Sequence, residues 1–532
     1  MPDPKTVDYI VVGAGTAGCV VAARLAGKGA SVLLLEQGSD GTDANIAGAN
    51  LDALFALWRD DNHITNYPMD PRSTAKHRWP ELMRGNTVGG SGAVNVMIHT
   101  RANPRDFDEW VRLGNDKWSY GDVLPYYMKS ESSQVGDPRW RGTHGPIQLR
   151  RPQRTIFSNT FERAAIELGF DGPHWDFNGQ RQEGGVGRYE FAADHKGKRS
   201  SSASAHLPAG MASGKLEVLS NRCVMRILLG EKDGALSAKG VVFRDPGHWF
   251  ETPVLVRKRV ILCAGALDTP KLLMVSGIGP AGVLDGLGID VRRDMPGVGE
   301  NLQDHVISGV QFASSEPPPR LQFLTEVGLF ANVSPRTDKD FYSVDGWPTV
   351  QFFMNAGIKE RGQKWVPRDY FGIYPSLARP VTRGSVRPAS ADARRPPVIS
   401  MDYLTGGDDL PIMVNAMRLA LRLAKTEALA GLNLGTVKIP TSDGGGLLLE
   451  EDSPSEVFEA FLHKAARGLW HPTSTCAMGP SPESGAVVDQ SLSVHGVAGL
   501  SVCDASVFPT ITCGNPNATV IAIAERFANE FA

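Results

Sequence analysis

An α/β fold with a Rossmann-like dinucleotide-binding domain is predicted by three neighbouring observations. They are an apolar run ending at a glycine, a glycine-patterned turn that opens a helix, and a second apolar run ending at an acid. The first run, Val7–Val12 (VDYIVV), is short and rich in β-branched residues, as a buried strand should be. Gly13-Ala14-Gly15-Thr16-Ala17-Gly18 is a G-x-G-x-x-G directly after it, and a helical stretch continues through Ala26. Ser31–Leu35 (SVLLL) reads as a second buried strand, closing a βαβ unit that implies a parallel sheet with covered faces.

Each glycine of the turn has a physical task. Gly13 permits the tight turn, Gly15 lets the backbone approach a pyrophosphate, and Gly18 lets helix and strand pack closely. The helix start, with Thr16 and Ala17, offers free N–H groups and the positive end of the dipole to the phosphates. Glu36 lies about 20 residues past Gly15, where a carboxylate can bind ribose hydroxyls. An acid there disfavours a 2′-phosphate and hence NADP; NAD and FAD both fit the motif.

Further strands are expected at Leu216–Leu219, Val224–Leu229 and Arg259–Cys263. Asp408–Ala428 is the clearest helix. Asp408 can cap it, Pro411 suits its first turn, and Leu410, Val414, Met417, Leu421 and Ala424 recur at helical spacing. The Pro-rich stretch Ser314–Arg320 breaks periodicity and reads as a domain boundary. Beyond it aromatics stand among polar residues: Phe323, Phe330, Trp347, Phe352, Phe353, Trp365, Phe371 and Tyr374.

With 532 residues the chain exceeds what one core usually supports, about 250–300, so two domains or one elaborated core are expected. A net charge of −3 excludes the basic footprint of a nucleic-acid or anionic-membrane binder. The six cysteines show no C-x-x-C and no disulfide-like clustering, and Cys19 and Cys263 read as buried free thiols. The histidines lack metal-ligand spacing, so no metal site is expected. The first residues lack the apolar core of a signal peptide and no transmembrane run is seen, so a cytoplasmic location is expected. An oligomer is compatible with all of this.

Two residues near the C-terminus bear on chemistry. His471 stands in Trp470-His471-Pro472-Thr473-Ser474-Thr475 and Asn515 in Cys513-Gly514-Asn515-Pro516-Asn517. Alone, the first is a core or capping histidine and the second a turn residue before proline. Together, beside a redox cofactor, an imidazole and an amide can take a proton from an alcohol and hold the alkoxide.

The whole chain resembles the glucose–methanol–choline (GMC) oxidoreductases, FAD-dependent alcohol oxidases and dehydrogenases. Four ordered segments carry the resemblance: the N-terminal glycine motif; Arg84–Asn95 (RGNTVGGSGAVN); Gly265–Gly279 (GALDTPKLLMVSGIG); and the C-terminal region with His471, Asp504-Ala505-Ser506 and Asn515. The resemblance identifies the cofactor as FAD. It implies an α+β chain overall, with a Rossmann-like FAD-binding domain (1–152, 193–306 and 469–532). A discontinuous substrate domain built on an antiparallel sheet (153–192 and 307–468) would complete it. Cofactor contacts are expected from the glycine motif, Glu36, Gly89, Gly90, Val94, Asn95, Val224, Asp504, Ala505, Asn515 and Pro516. Gly89, Gly90 and Gly92 would let backbone pass close to a flat ring, and Asn95 would offer its amide to the flavin's polar edge. Some members attach FAD through a histidine; this chain has Val94 there, so the resemblance implies non-covalent FAD.

By the same resemblance His471 is the catalytic histidine and Asn515 its partner, with hydride passing from the alcohol carbon to flavin N5. The segment Asn301–His305 is shared with the family, and His305 is assigned no catalytic role, only a place at the domain junction. Choline oxidases place a carboxylate shortly after that Asp-His, where this chain has Ile307, so choline is disfavoured. The aromatics, with Trp470 beside His471, and Phe353 and Asn355 as pocket residues, favour a primary apolar or aromatic alcohol, as in aryl-alcohol or hydroxymethylfurfural-type oxidases. The acceptor, oxygen or a quinone or carrier, leaves no motif. A hydroxynitrile-lyase-type flavoprotein with no net redox step is the alternative, and a flavin-bearing binding protein a third.

Overall fold

The computed structural model describes residues 4–71, 81–245, 247–248, 250–317, 321–336, 340–356, 370–437, 439–440 and 446–532. Trp365 and residues 318–320, named above, lie outside these. Two sheets organise the chain.

The first has seven strands. Lys5–Val12 runs parallel to Val32–Leu35 on one side and to Glu251–Leu262 on the other. Leu216–Leu219 extends the parallel set beyond Val32–Leu35, and Leu500–Val502 pairs in parallel with the end of Glu251–Leu262. Antiparallel strands Ala235–Arg244 and Cys223–Lys232 follow on the far edge. The parallel strands are apolar on both faces because helices cover them. Thr16–Gly27 packs on the sheet with Ser202–Ala212 and Asn517–Arg526 beside it. The expected βαβ start is therefore present, with the helix bounded by Thr16 and Gly27.

The second sheet is antiparallel, with nine strands centred on Val327–Val333, Val350–Ala356 and Tyr370–Leu377. Val306–Ile307 and Val310–Ser314 already belong to it, and Val186–Arg188 joins its edge. The Pro-rich break after Ser314 thus falls inside this unit, not at its entrance. It ends a strand, which is why periodicity stops there.

The long helix is also shorter than its periodicity. It spans Asp409–Ala424 and restarts as Glu427–Ala430. Asp408 makes no side-chain cap. Asp409 instead turns its carboxylate away to accept from Val381 N, Thr382 N and the Thr382 hydroxyl. All six cysteines are unpaired thiols. Among the described residues no helix is long and apolar enough to cross a membrane.

Candidate active site

One large cavity lies against the C-terminal ends of the parallel strands. Its walls include Gly13, Gly15, Thr16, Ala17, Glu36, Gly90, Asn95, Val224, Asp504, Ala505, Asn515 and Pro516, with Trp470 and His471. Residues separated by most of the chain therefore face one space.

The glycine turn builds one wall. A Cβ on Gly13 would lie 2.6 Å from the Cys263 carbonyl oxygen, and one on Gly18 would lie 1.9 Å from that of Gly13. Gly18 is thus the close-packing glycine and does not line the cavity. Gly15 precedes the helix and provides no side-chain cap, so the first-turn amides face the cavity. Glu36 is buried and accepts from Ala14 N and Gly38 N, each at 2.8 Å. Burial pushes its carboxyl up to about 7.

The second glycine segment packs against the first. Gly90 has φ +53° and ψ −142°, and a Cβ there would lie 2.7 Å from Gly15 Cα. A Cβ on Gly89 (φ +100°) would meet that of Ala93 at 2.8 Å, and one on Gly92 the Thr16 hydroxyl at 2.7 Å. These glycines make room for protein: two glycine loops touch, and Gly90 lines the cavity while Gly89 and Gly92 do not. Val94 is buried behind the wall among Ile46, Leu57 and Trp470. Asn95 Oδ1 accepts from Met97 N and Arg199 Nη1, which leaves its Nδ2 for the cavity. Asp504 lines the cavity but binds Gly265 N, the Thr269 hydroxyl and Ser506 N, anchoring the helix Gly265–Val275.

His471 and Asn515 meet at the wall of the same cavity, with Asn515 Nδ2 3.4 Å from His471 Nε2. The amide is oriented by Thr100, whose hydroxyl donates to Asn515 Oδ1 at 3.2 Å and accepts from Asn515 N at 3.0 Å. His471 follows Trp470, held at φ +62°, a costly region for a bulky side chain. Two groups hold the turn: the half-buried Arg84 donates to Trp470 O at 2.7 Å, and the buried Asp304 accepts from His471 N at 2.6 Å. Burial, with the Arg84 charge nearby, keeps the His471 imidazole neutral far below its usual range. Burial also raises Asp304 to about 7.

The sequence assigns Arg84, Asp304 and Thr100 no role, and His305 only a place at the domain junction. His305 Nδ1 lies 2.9 Å from His471 Nδ1. The legible signal was that Arg84 and Asp304-His305 fall within segments shared with the family; Thr100 carried none.

The structure does not bring Phe353 or Asn355 to this cavity. Along Val350–Ala356 alternate side chains face opposite ways. Phe352 enters the core of the second sheet, and Phe353 a cluster with Tyr189, Phe330 and Ile307. Met97 and Ile98 of that cluster do line the cavity, so Phe353 stands behind them. Asn355 lines a separate small pocket with Thr155 and Glu326. The other aromatics are largely core: Phe323, Phe330 and Phe371 are fully buried.

The GMC oxidoreductase family models match residues 7–307 and 380–524. The chain belongs to the GMC oxidoreductases. Among curated relatives, the oxygen-dependent choline dehydrogenase of Pectobacterium carotovorum subsp. carotovorum (strain PC1) is 34% identical, covering 98% of this chain and 94% of its own. That of Sinorhizobium medicae (strain WSM419) is 32% identical over 98% of this chain and 95% of its own. Among solved structures, pyridoxine 4-oxidase from Mesorbium loti superimposes with a TM-score of 0.86 at 28% identity, covering 99% of each chain. A fungal aryl-alcohol oxidase shares the fold at 0.79 and 22% identity over 98% of each. The GMC chain is thus an FAD-dependent alcohol oxidoreductase acting on CH–OH donors.

Proposed function

We propose that this GMC enzyme oxidises a primary, apolar or aromatic alcohol to the aldehyde at His471 and Asn515. The observation that carries the proposal is the facing of His471 Nε2 and Asn515 Nδ2 at the wall of the cavity that also holds the glycine turn. A neutral imidazole there takes the alcohol proton. The Asn515 amide N–H donates to the same oxygen and steadies the negative charge that develops on it. FAD, when bound, supplies the hydride acceptor.

The walls fit that cofactor. The first-turn amides at Thr16 and Ala17 suit a pyrophosphate, Glu36 a ribose, Val224 an adenine edge, and Asn95, Ala505 and Pro516 the ring system. Val94 offers no nucleophile, which supports non-covalent binding. The two sheets support the division into an FAD-binding unit (1–152, 193–306 and 469–532) and a substrate unit (153–192 and 307–468).

The choice of an uncharged alcohol rests on the cavity's carboxylates. Glu36, Asp504 and Asp268 are each engaged, the last by the Tyr67 hydroxyl and Lys271. Ile307 stands in an apolar cluster with Phe353. Among the described residues lining the cavity, a quaternary ammonium would meet only carboxylates already engaged, and burying it unpaired is costly.

Anaerobic mixing of the yellow protein with an alcohol panel tests the reading. An aryl or alkyl primary alcohol is expected to bleach the flavin, and choline to do so slower by about tenfold or more. No bleaching by any alcohol, with a hydroxynitrile cleaved instead, would establish the lyase reading. Admitting air and measuring peroxide then assigns the acceptor as oxygen or another oxidant.

Glu36 yields a separate expectation. Its carboxyl is raised to about 7 in the FAD-free fold, whereas ribose hydroxyls favour the ionised form. FAD affinity should therefore fall as pH drops through 7 and recover above it. Glu36→Gln should bind FAD about tenfold more weakly at high pH, having lost a charge-assisted acceptor, and without that slope. Titration by flavin fluorescence reads both; an unchanged slope in the variant would remove Glu36 from ribose binding.

A further inference from the structure

His305 lies on the side of His471 away from Asn515, and its hydrogen bonds have only one consistent direction. His305 Nε2 is 3.1 Å from Ala378 O and 3.1 Å from Thr512 O. Both partners are backbone carbonyls, which only accept. Nε2 must therefore carry a proton. His305 is buried, and burial holds it neutral, down to about 4. A neutral imidazole with Nε2–H has a lone pair on Nδ1, and that atom lies 2.9 Å from His471 Nδ1.

We propose that His305 is a positioning residue that fixes His471 as its Nδ1–H tautomer, so that Nε2 meets the alcohol unprotonated. The other end of the chain of bonds agrees independently. Thr100 Oγ1 accepts the Asn515 N–H and donates its own proton to Asn515 Oδ1, an oxygen that only accepts. This turns the Asn515 NH2 toward His471 Nε2, where a lone pair is required. Direction set by two carbonyls at one end and by a backbone N–H at the other converges on the same atom.

The consequence for the proposed chemistry, on which this inference rests, concerns one proton. The alcohol O–H bond breaks, its electrons stay on oxygen, and a new N–H forms at His471 Nε2. The imidazolium so formed keeps its Nδ1–H donated to the His305 lone pair, and that bond becomes charge-assisted. Arg84 disfavours a cation here through space, and Asp304 is bound to the His471 backbone N–H, so the acceptor on His305 is the direct contact offsetting the new charge. In the opposite tautomer Nε2–H would point at the alcohol and could take nothing.

The test uses the FAD-loaded enzyme with 15N-labelled histidine, His471 being assigned by its loss in His471→Gln. Wild type is expected to show His471 with a protonated Nδ1 and an unprotonated Nε2, before any alcohol is added. The reverse assignment overturns the proposal outright, whether or not variants fold. His305→Leu removes the acceptor; it should invert or mix the His471 signals and slow anaerobic flavin bleaching about 100-fold, with alcohol affinity changed less than about threefold. His305→Asn, whose Oδ1 can stand in for Nδ1, should recover about tenfold of that loss. Equal rates in Leu and Asn variants, or a Leu variant with wild-type signals, would reduce His305 to packing. Because the tautomer is read without turnover, failure of every alcohol to bleach the flavin would sink the proposed function and leave this result standing.

Discussion

Replacing His471 with alanine is expected to slow anaerobic flavin reduction by the best alcohol by about 10²–10⁴-fold, the usual contribution of a positioned general base. Alcohol affinity should change little, because a proton acceptor acts as charge develops and not in the ground-state complex. Stopped-flow traces give both quantities from one concentration series. Asn515→Asp should also slow the reaction, since a carboxylate facing His471 Nε2 at the Asn515 position would repel the developing alkoxide. If both variants bleach at wild-type rates, the base lies elsewhere. The pH profile adds an independent check. Burial, and the Arg84 charge, keep His471 neutral, so the acid limb of kcat/KM should lie well below the ordinary histidine value of 6.5. The base is then already competent across the neutral range, and kcat/KM should be flat from about pH 6.5 to 8 as far as this group is concerned.

The second large effect is on folding. Gly90→Ala is expected to destabilise the protein by about 3 kcal/mol or more. Two costs add. A side chain at φ +53° and ψ −142° occupies a conformation that is nearly glycine's alone. The new Cβ would also lie 2.7 Å from Gly15 Cα, a backbone atom that cannot rotate away. The contact joins the two glycine loops whether or not FAD is present. Thermal melting of the apoprotein should therefore fall along with FAD occupancy. Had the glycine served only to let a flat ring pass, apoprotein melting would stay at the wild-type value and only FAD binding would weaken. Gly92→Ala, facing the Thr16 hydroxyl at 2.7 Å, should cost less, because a hydroxyl can rotate.

What could be read in advance was local. Val7–Val12, the glycine turn and Ser31–Leu35 announce a βαβ unit because a buried parallel strand must be continuously apolar and a close backbone contact must be glycine. These requirements act within a few residues, so they leave a pattern in order. Asp408 failed as a cap for the converse reason. The adjacent Asp409 has better partners in Val381 and Thr382, which lie far away in sequence and are brought close only by folding. Phe353 failed as a pocket residue because strand alternation assigns a face but not what covers that face.

The dinucleotide turn and the family were legible in the chain alone, which also singled out His471 and Asn515, the pair proposed to carry the chemistry. Each rests on residues whose neighbours in the chain constrain them, or on ordered segments recognisable without coordinates. How the pair is held depends on contacts between segments far apart in the chain. His305 reaches His471 across 166 residues and Thr100 reaches Asn515 across 415. Neither contact has a periodicity or a spacing to betray it. A hydrogen bond between distant residues has a direction only once both ends and their other partners are placed. Here that direction runs from two backbone carbonyls to the nitrogen proposed to take the proton.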